Sequence, residues 1–361
     1  MPAKPRPRVL LLIPHLGGGG AEQVMALLAR CLSHEKYELH LGLVTRTNPG
    51  VTALPPWVNL HPLGASRVRA GAFRMLRLVR QLKPDVILSG MAHLNFLVLL
   101  MRPFFPRGTR VLVRQNATVS AALASGDLPF YSRLLYRQLY RHADRVICQT
   151  YAMAEDLAAE LGLAQERIVV LPNPVDLDGI LASEGDPVQW RGAGPHLLAI
   201  GRLSREKGFD LLLEALAAVR ERFPNANLAI LGAGTEEAPL KDKSRALGLE
   251  AAVRFTGHVD RPYAFFPGAT LFVLSSRHEG MPNVLLEAAA GGLPIVALPA
   301  SGGVRELLAG RPGAWLAPEI SASALTASLL SALESLRPGQ RFPYAFSPEQ
   351  VLTGRPADGA K

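Results

Sequence analysis

The chain has 361 residues, 48% of them hydrophobic and 19% charged, a length too great for one compact core and suited to two α/β domains with a cleft between them. Its apolar residues fall in short runs broken by 33 glycines and 29 prolines, which excludes a disordered chain, and the longest run, around Leu94–Met101, is far short of the ~20 residues that span a bilayer. Two cysteines, Cys31 and Cys148, exclude a disulfide framework and a cysteine zinc site, and the short apolar run near the N-terminus is no secretory signal, which predicts a cytoplasmic protein.

In chain order, Val9–Ile13 reads as a buried strand, Gly17–Gly20 as a glycine turn and Ala21–Ser33 as an amphipathic helix, the entry of a Rossmann-like unit. Strands follow at Leu39–Val44, Val86–Leu88, Arg110–Val113, Arg145–Cys148 and Ile168–Leu171, with helical stretches between most of them. Within this half, Arg67–Lys83 holds six cations and no acid, with Phe73, Leu76 and Val79 at roughly helical spacing. It reads either as a helix lying on an anionic membrane surface or as an ordinary surface helix with a solvated basic face and a core stripe. Arg102-Pro-Phe-Phe-Pro-Arg107 adds aromatics between cations in a loop. Leu177–Pro195, rich in Gly, Asp and Pro, marks a boundary. The second half repeats the opening, with strand Leu197–Ile200, turn Gly201–Gly208 and helix Phe209–Arg222, and continues with strands Leu228–Leu231, Leu271–Leu274 and Pro294–Ala297. Such alternation predicts parallel sheets with right-handed crossovers. The expected division is a domain over 1–180, a second over 190–337 and a short segment over 338–361, whose tail Thr353–Lys361 carries no periodicity and is expected to be disordered.

All of the net charge of +9 lies in the first half: residues 1–180 hold 21 Lys+Arg against 12 Asp+Glu, and residues 181–361 hold 18 against 18. A basic first half implies an anionic partner. Nucleic acid is not the expected one, since no nucleic-acid module is recognisable and aromatics make up 6% of the chain.

The strongest chemical signal is Ser275-Ser-Arg-His-Glu-Gly-Met-Pro-Asn-Val-Leu-Leu-Glu287, after an apolar strand and leading into an Ala-rich helix. Pro282 suits the first helical position. The helix start then offers its free N–H groups and positive dipole end to a diphosphate. Glu287, in the second turn, reaches a ribose while Glu279, ahead of the helix, faces a sugar. A buried carboxylate needs partners, and two vicinal hydroxyls supply them.

Glu279-x7-Glu287, with Gly280, Pro282 and Asn283, resembles the signature of the family-4 glycosyltransferases, retaining enzymes of the GT-B fold. Gly201-Arg-Leu-Ser-Arg-Glu-Lys-Gly208 resembles that family's phosphate loop, Gly18-Gly-Gly-Ala-Glu22 its N-terminal glycine loop, and Pro172-Asn-Pro-Val-Asp176 its inter-domain Pro-Asn-Gly-Val-Asp, with Pro174 in place of the glycine. The resemblance spans roughly residues 8–335. It implies an α/β GT-B chain of two Rossmann-like domains, their parallel sheets facing across an inter-domain cleft, the first taking the acceptor and the second the nucleotide-sugar.

Carried over residue by residue, the resemblance implies that Arg202 and Lys207 hold the donor diphosphate, Glu287 the ribose and Glu279 the transferred sugar. Donor-side candidates further include Gly19, Gly20, Gly201, His258, Val259, Gly280, Met281, Pro282, Asn283 and Val284. His93, after strand Val86–Leu88, is placed near the donor sugar and the reacting bond, and Ser301-Gly-Gly303 reads as a glycine loop or a helix N-cap. Arg114 and Asn116, at a strand end, and Glu22, which closes the N-terminal glycine loop, are acceptor-side candidates. The catalytic set is therefore Glu279, His93, Arg202 and Lys207, with no metal or other cofactor expected and the nucleotide-sugar as co-substrate. The implied reaction is transfer from a UDP- or GDP-sugar to an acceptor hydroxyl, UDP favoured, the leaving phosphate helping to accept the proton. The basic first half favours a lipid-linked or cell-surface glycan as acceptor and a peripheral position on the inner face of the membrane. A UDP-GlcNAc epimerase and a silent sugar-nucleotide-binding scaffold are the alternatives. The family's C-terminal helix crosses back onto the first domain, whereas here Ser347-Pro-Glu-Gln-Val-Leu352 runs into Gly354-Arg-Pro-Ala-Asp-Gly359, which predicts a weaker clasp.

Overall fold

The computed structural model describes residues 5–16, 20–45, 54–124, 132–185, 187–190 and 192–343. Gly19, the Ser347–Leu352 clasp and the Thr353–Lys361 tail lie outside the described residues. The chain divides into two compact units between Pro174 and Val175.

The first unit carries strands β1 (Arg8–Ile13), β2 (Glu38–Thr45), β3 (Val58–Ala65), β4 (Val86–Gly90), β5 (Arg110–Arg114), β6 (Arg145–Cys148) and β7 (Ile168–Val170). They form one parallel sheet in the order β3-β2-β1-β4-β5-β6-β7. Helices α1 (Gly20–Cys31), α2 (Ala72–Leu82), α3 (Ala92–Met101), α4 (Val119–Ala124), α5 (Ser132–Tyr140) and α6 (Tyr151–Leu161) connect them. Along β1, Val9, Leu11 and Ile13 enter one core cluster and Leu10 and Leu12 another. Both faces of the strand are thus covered, which is why it reads as an unbroken apolar run.

The second unit opens with α7 (Leu177–Ala182) and holds β8 (His196–Ile200), β9 (Asn227–Leu231), β10 (Val253–Phe255), β11 (Leu271–Leu274), β12 (Ile295–Ala297) and β13 (Ala314–Leu316) in the order β10-β9-β8-β11-β12-β13. Its other helices are α8 (Phe209–Arg222), α9 (Glu237–Ala246), α10 (Asn283–Ala290), α11 (Gly302–Leu308) and α12 (Ala322–Ser335). The same two-face division recurs, with Leu271 and Val273 of β11 in one cluster and Phe272 and Leu274 in the other.

Three expectations change. The boundary stretch Leu177–Pro195 opens with a helix, which its Gly, Asp and Pro content does not suggest: the Asp176 carboxylate accepts from Gly179 N at 3.1 Å and caps α7, whose Ile180 joins the second unit's core. The buried stripe of α2 is Met75, Leu78 and Val79 rather than Phe73, Leu76 and Val79, because positions 75, 78 and 79 share one helical face, and Phe73 is 75% exposed. Pro282 is the N-cap of α10 and Asn283 its first residue, since Pro282 holds extended angles of φ −72° and ψ 111°.

In each sheet the strand order reverses at one place, between β1 and β4 and between β8 and β11. Loops leaving the C-terminal ends of such a pair diverge to opposite faces and open a crevice, the usual ligand position in open α/β sheets. In the second unit the two loops are laced together. Gly208 has φ +62°, and a Cβ there would lie 2.0 Å from the Ser275 carbonyl oxygen. Gly208→Ala should therefore lower the unfolding free energy by about 3 kcal/mol through backbone strain and displacement of the Ser275 loop. Urea denaturation reads this, and a loss within about 0.5 kcal/mol of zero would contradict the close approach.

Candidate active site

The loop after β8 begins at Gly201, passes Arg202 and makes a short turn at Arg205–Lys207 before α8 starts. The loop after β11 runs beside it. Arg277 N donates to the Glu206 carbonyl at 2.7 Å, and Ser275 Oγ donates to the Lys207 carbonyl at 2.9 Å. The Arg277 guanidinium closes a fork onto both oxygens of Asp210, each at 2.7 Å. This pairing holds the Asp210 carboxyl below its usual range, with burial opposing it only partly.

On that scaffold Lys207 Nζ donates to Glu279 Oε1 at 2.6 Å, and Ser276 Oγ donates to the same oxygen at 2.7 Å. The Glu279 side chain is 10% exposed and that of Lys207 23%. Arg202 is exposed; its carbonyl accepts from Ser204 N at 2.9 Å, its charge helps to lower the Glu206 carboxyl, and its guanidinium makes no hydrogen bond among the described residues. That guanidinium is available to an anion at this edge.

Behind this pair comes α10. Gly280 is pinned by the Ser301 hydroxyl, which donates to its carbonyl at 3.1 Å while accepting from Val304 N at 3.3 Å as the N-cap of α11. Met281 and Val284 pack against the core, so the backbone amides of this stretch, rather than those side chains, are what it offers a ligand. Glu287 lies four residues into α10, about 6 Å along its axis. Burial pushes its carboxyl up to about 7; the Tyr263 hydroxyl bonded to it opposes the rise and the nearby Asp176 charge adds to it. The two carboxylates of the motif therefore have different surroundings: Glu279 has a cation and a hydroxyl at hydrogen-bond distance, and Glu287 has a tyrosine.

His258 and Val259 sit beyond β10, tied in by backbone. Gly232 N donates to the Gly257 carbonyl at 2.8 Å, and a Cβ on Gly232 would lie 1.9 Å from the Gly201 carbonyl oxygen. The loops after β8, β9 and β10 are thus strapped in sequence. His258 itself is exposed, with Asp260 at 3.5 Å.

In the first unit the reversal between β1 and β4 gathers a smaller polar group. Gly20 opens α1, and Glu22 in its first turn is buried with its carboxylate 3.7 Å from His15 Nδ1. His93 follows β4 at the start of α3. Surrounding protein pushes its imidazole below the ordinary histidine value; the neighbouring His15 contributes in the same direction and Glu22 opposes both. Met91 between them has φ +100°, a strained angle for a residue with a side chain. Arg114 is 4% exposed: its guanidinium donates to Asn116 at 2.9 Å and to Asn173, so it braces those two residues instead of projecting as an acceptor-lining group. Burial lowers it to about 10, which leaves it charged at neutral pH.

Sequence reasoning missed His15, Tyr263, Asp210 and Ser276. The Ser275-Ser276 pair directly before the motif was the available signal for Ser276. His15 lies seven residues before Glu22, across the glycine loop, while Asp210 and Tyr263 meet Arg277 and Glu287 across long sequence separations.

Residues 186–342 match the family described as glycosyl transferases group 1, and residues 18–178 match glycosyltransferase family 4. The chain is 27% identical over 309 residues, 82% of each protein, to the N-acetylgalactosamine-N,N'-diacetylbacillosaminyl-diphospho-undecaprenol 4-alpha-N-acetylgalactosaminyltransferase of Campylobacter jejuni. It is 32% identical over 239 residues, 66% of each protein, to the lipopolysaccharide core biosynthesis glycosyltransferase LpsE of Rhizobium meliloti. Among solved structures, Anabaena HepE in complex with UDP matches with a TM-score of 0.68 at 18% identity, covering 91% of this chain and 90% of that one. The matched segments span 61% to 82% of the length of the first three curated relatives. With the two family descriptions covering both units, and a parallel sheet with one order reversal in each, the chain belongs to the family-4 (group 1) retaining glycosyltransferases of the GT-B fold, which use nucleotide-sugar donors.

Proposed function

We propose that this chain transfers a sugar from a UDP-sugar, in preference to a GDP-sugar, to a hydroxyl of a lipid-linked or cell-surface glycan, with the first unit taking the acceptor and the second the donor. The observation that carries the reading is the 2.6 Å contact of Lys207 with Glu279 at the β8/β11 reversal, followed eight residues on by the buried Glu287. Lys207 and Arg202 hold the donor diphosphate, Glu279 receives the sugar hydroxyls, and Glu287 takes the ribose hydroxyls. As the bond from the anomeric carbon to the diphosphate oxygen breaks, its electron pair goes to the nucleoside diphosphate. Fixed cations and the α10 amides stabilise that charge more in the transition state than in the ground state. The acceptor proton passes to the departing phosphate. Within the first unit, His93 and Glu22 are the polar groups offered to the reaction.

UDP is favoured because the similar HepE structure holds it. The lipid-linked acceptor is favoured because the Campylobacter relative's name specifies a diphospho-undecaprenol-linked glycan. No helix among the described residues is long and apolar enough to cross a membrane, so contact with a lipid-borne acceptor requires a surface. The solvent face of α2 offers one. Phe73, Arg77 and Arg80 share it at helical spacing, and Arg80 Nε donates to the Phe104 carbonyl at 3.2 Å, which continues the face into exposed Leu100 and Phe104.

A panel of UDP-, GDP- and ADP-sugars should show thermal protection by a UDP-sugar, equivalent to about 2.7 kcal/mol at a hundredfold excess over Kd, and Lys207→Ala or Glu287→Ala should abolish it. Protection retained in both variants would overturn the site assignment.

Glu287 adds a pH signature. Its folded value of about 7 lies above the ordinary 4.5, so the folded state binds the extra proton, and stability without donor falls as pH rises through that window. Ribose hydroxyls donate to the ionised carboxylate and lower its pKa. Binding of a UDP-sugar at pH 7 should therefore release about half a proton, seen as a buffer-dependent heat in calorimetry and absent in Glu287→Gln. Proton uptake, or the same dependence in the variant, would count against the ribose role.

For the membrane face, Arg77→Glu with Arg69→Glu, an exposed arginine in the short turn just before α2, should weaken binding to phosphatidylglycerol vesicles about 25-fold or more. Binding indifferent to both reversals would argue for a plain solvated helix.

A further inference from the structure

At the end of the first sheet where strands begin, away from the loops that carry Glu22 and His93, four arginines line one depression. Arg102 comes from the short turn after α3, Arg141 and Arg145 from the connection between α5 and β6, and Arg167 from the turn before β7. His142 and Asp144 complete the wall of a depression of about 370 Å³. A second depression of about the same volume adjoins it and shares Arg141, His142 and Arg167.

The single carboxylate is already committed. Asp144 Oδ1 accepts from Arg102 Nη2 at 2.8 Å, and its Oδ2 accepts from Val111 N at 2.7 Å. Arg145 donates to the Asp144 carbonyl at 2.8 Å and Arg167 to the Arg141 carbonyl. Those two bonds satisfy backbone oxygens of the connection between α5 and β6, and the nearby α5 terminus offers only about half a negative charge. The Arg141 guanidinium has no hydrogen-bond or ion-pair partner among the described residues. Four guanidiniums around a concave surface, against one spent carboxylate, repel one another and focus a positive field into the depression. The planar fork of arginine matches phosphate oxygens in pairs. The lining has no Phe, Tyr or Trp and offers a single imidazole, His142, rather than a run of rings on which successive bases would stack, which speaks against single-stranded nucleic acid.

We propose that these adjoining depressions form a second anion site of the chain, taking a phosphate-bearing group, with two linked phosphates bridged across the shared Arg141 and Arg167. The site does not rest on the donor reading of the second unit. Its ligand is either a soluble phosphate ester or the head group of an anionic lipid, and the test separates the two sources.

The full chain carrying Lys207→Ala, which disables the proposed diphosphate site of the second unit, is titrated with inorganic pyrophosphate and followed by thermal unfolding and by 31P line broadening. It is then sedimented with phosphatidylcholine vesicles with and without 30 mol% (about a third) phosphatidylglycerol. The comparison variant adds Arg141→Ser and Arg145→Ser, both exposed positions, Arg145 losing only a bond to its chain neighbour, with Arg102 and Arg167 kept for bonds that join distant segments. Stabilisation and broadening by pyrophosphate that the double substitution removes assign the site to a soluble phosphate group. Vesicle binding that needs phosphatidylglycerol and falls about 25-fold in the double variant, with no effect of pyrophosphate, assigns it to a lipid head group. No response to either probe, or responses unchanged by the double substitution, overturns the proposal. The double substitution made with Lys207 intact must keep the parent melting temperature and UDP-sugar protection, so that loss of fold is not read as loss of the site.

Discussion

The contact between Lys207 and Glu279 joins residues 72 apart in sequence, and most of the second unit's upper edge is built so that it can form. Its two loops leave neighbouring strands of one sheet and would diverge if nothing drew them together. Gly208 lets the backbones approach more closely than any Cβ permits. The Ser275 hydroxyl, the Arg277 amide and the Arg277–Asp210 fork then lock the register. Once the loops are laced, the lysine and the carboxylate have little freedom left to lose. A charge pair of this kind contributes little when its members must be ordered for the purpose and more when the fold has already ordered them.

The same edge holds its two glutamates in opposite electrostatic conditions. Glu279 has a cation and a hydroxyl on one oxygen, Oε1. Glu287 has been taken out of water with a tyrosine beside it, and its carboxyl sits near neutrality. A site that keeps one carboxylate satisfied and the other short of donors is asymmetric along its length. A ligand whose hydroxyls reach Glu287 would correct the shortage, and under the proposed assignment this asymmetry sets the direction in which a donor lies.

Much of this arrangement was legible in the sequence because central parallel strands are buried on both faces and read as plain apolar runs. Val9–Ile13, Leu197–Ile200 and Leu271–Leu274 were visible for that reason, and the glycines and prolines after them marked the loops. The strands that escaped, β3, β10 and β13, all lie at sheet edges. An edge strand has one bonded neighbour and needs no continuous apolar run; Pro62 within β3 is tolerated there and would be excluded from a central strand. The buried face of α2 was misjudged by a single step of helical phase, since Leu76 and Leu78 are equally apolar and only packing against the sheet decides between them. Within the site, residues on the motif were legible and their supports were not. Tyr263 and Asp210 reach their partners through the strand order, which local spacing does not encode.

The uneven charge of the two halves has a related structural origin. In a parallel α/β unit every helix ends, and every following strand begins, on the same rim, so cations that offset the helix C-termini converge there. In the first unit this gathers Arg102, Arg141, Arg145 and Arg167 around one depression with a single, already occupied carboxylate. The second unit has cations in comparable positions but matches them locally. Lys241 pairs with Glu237, Lys243 with Glu214, and Arg245 with Asp242 and Glu250. Helix termini alone would favour cations in both units. What separates them is the neutralising acids, present in the second and scarce in the first, and a surface left uncompensated in this way keeps its field for an anion that the chain itself does not supply.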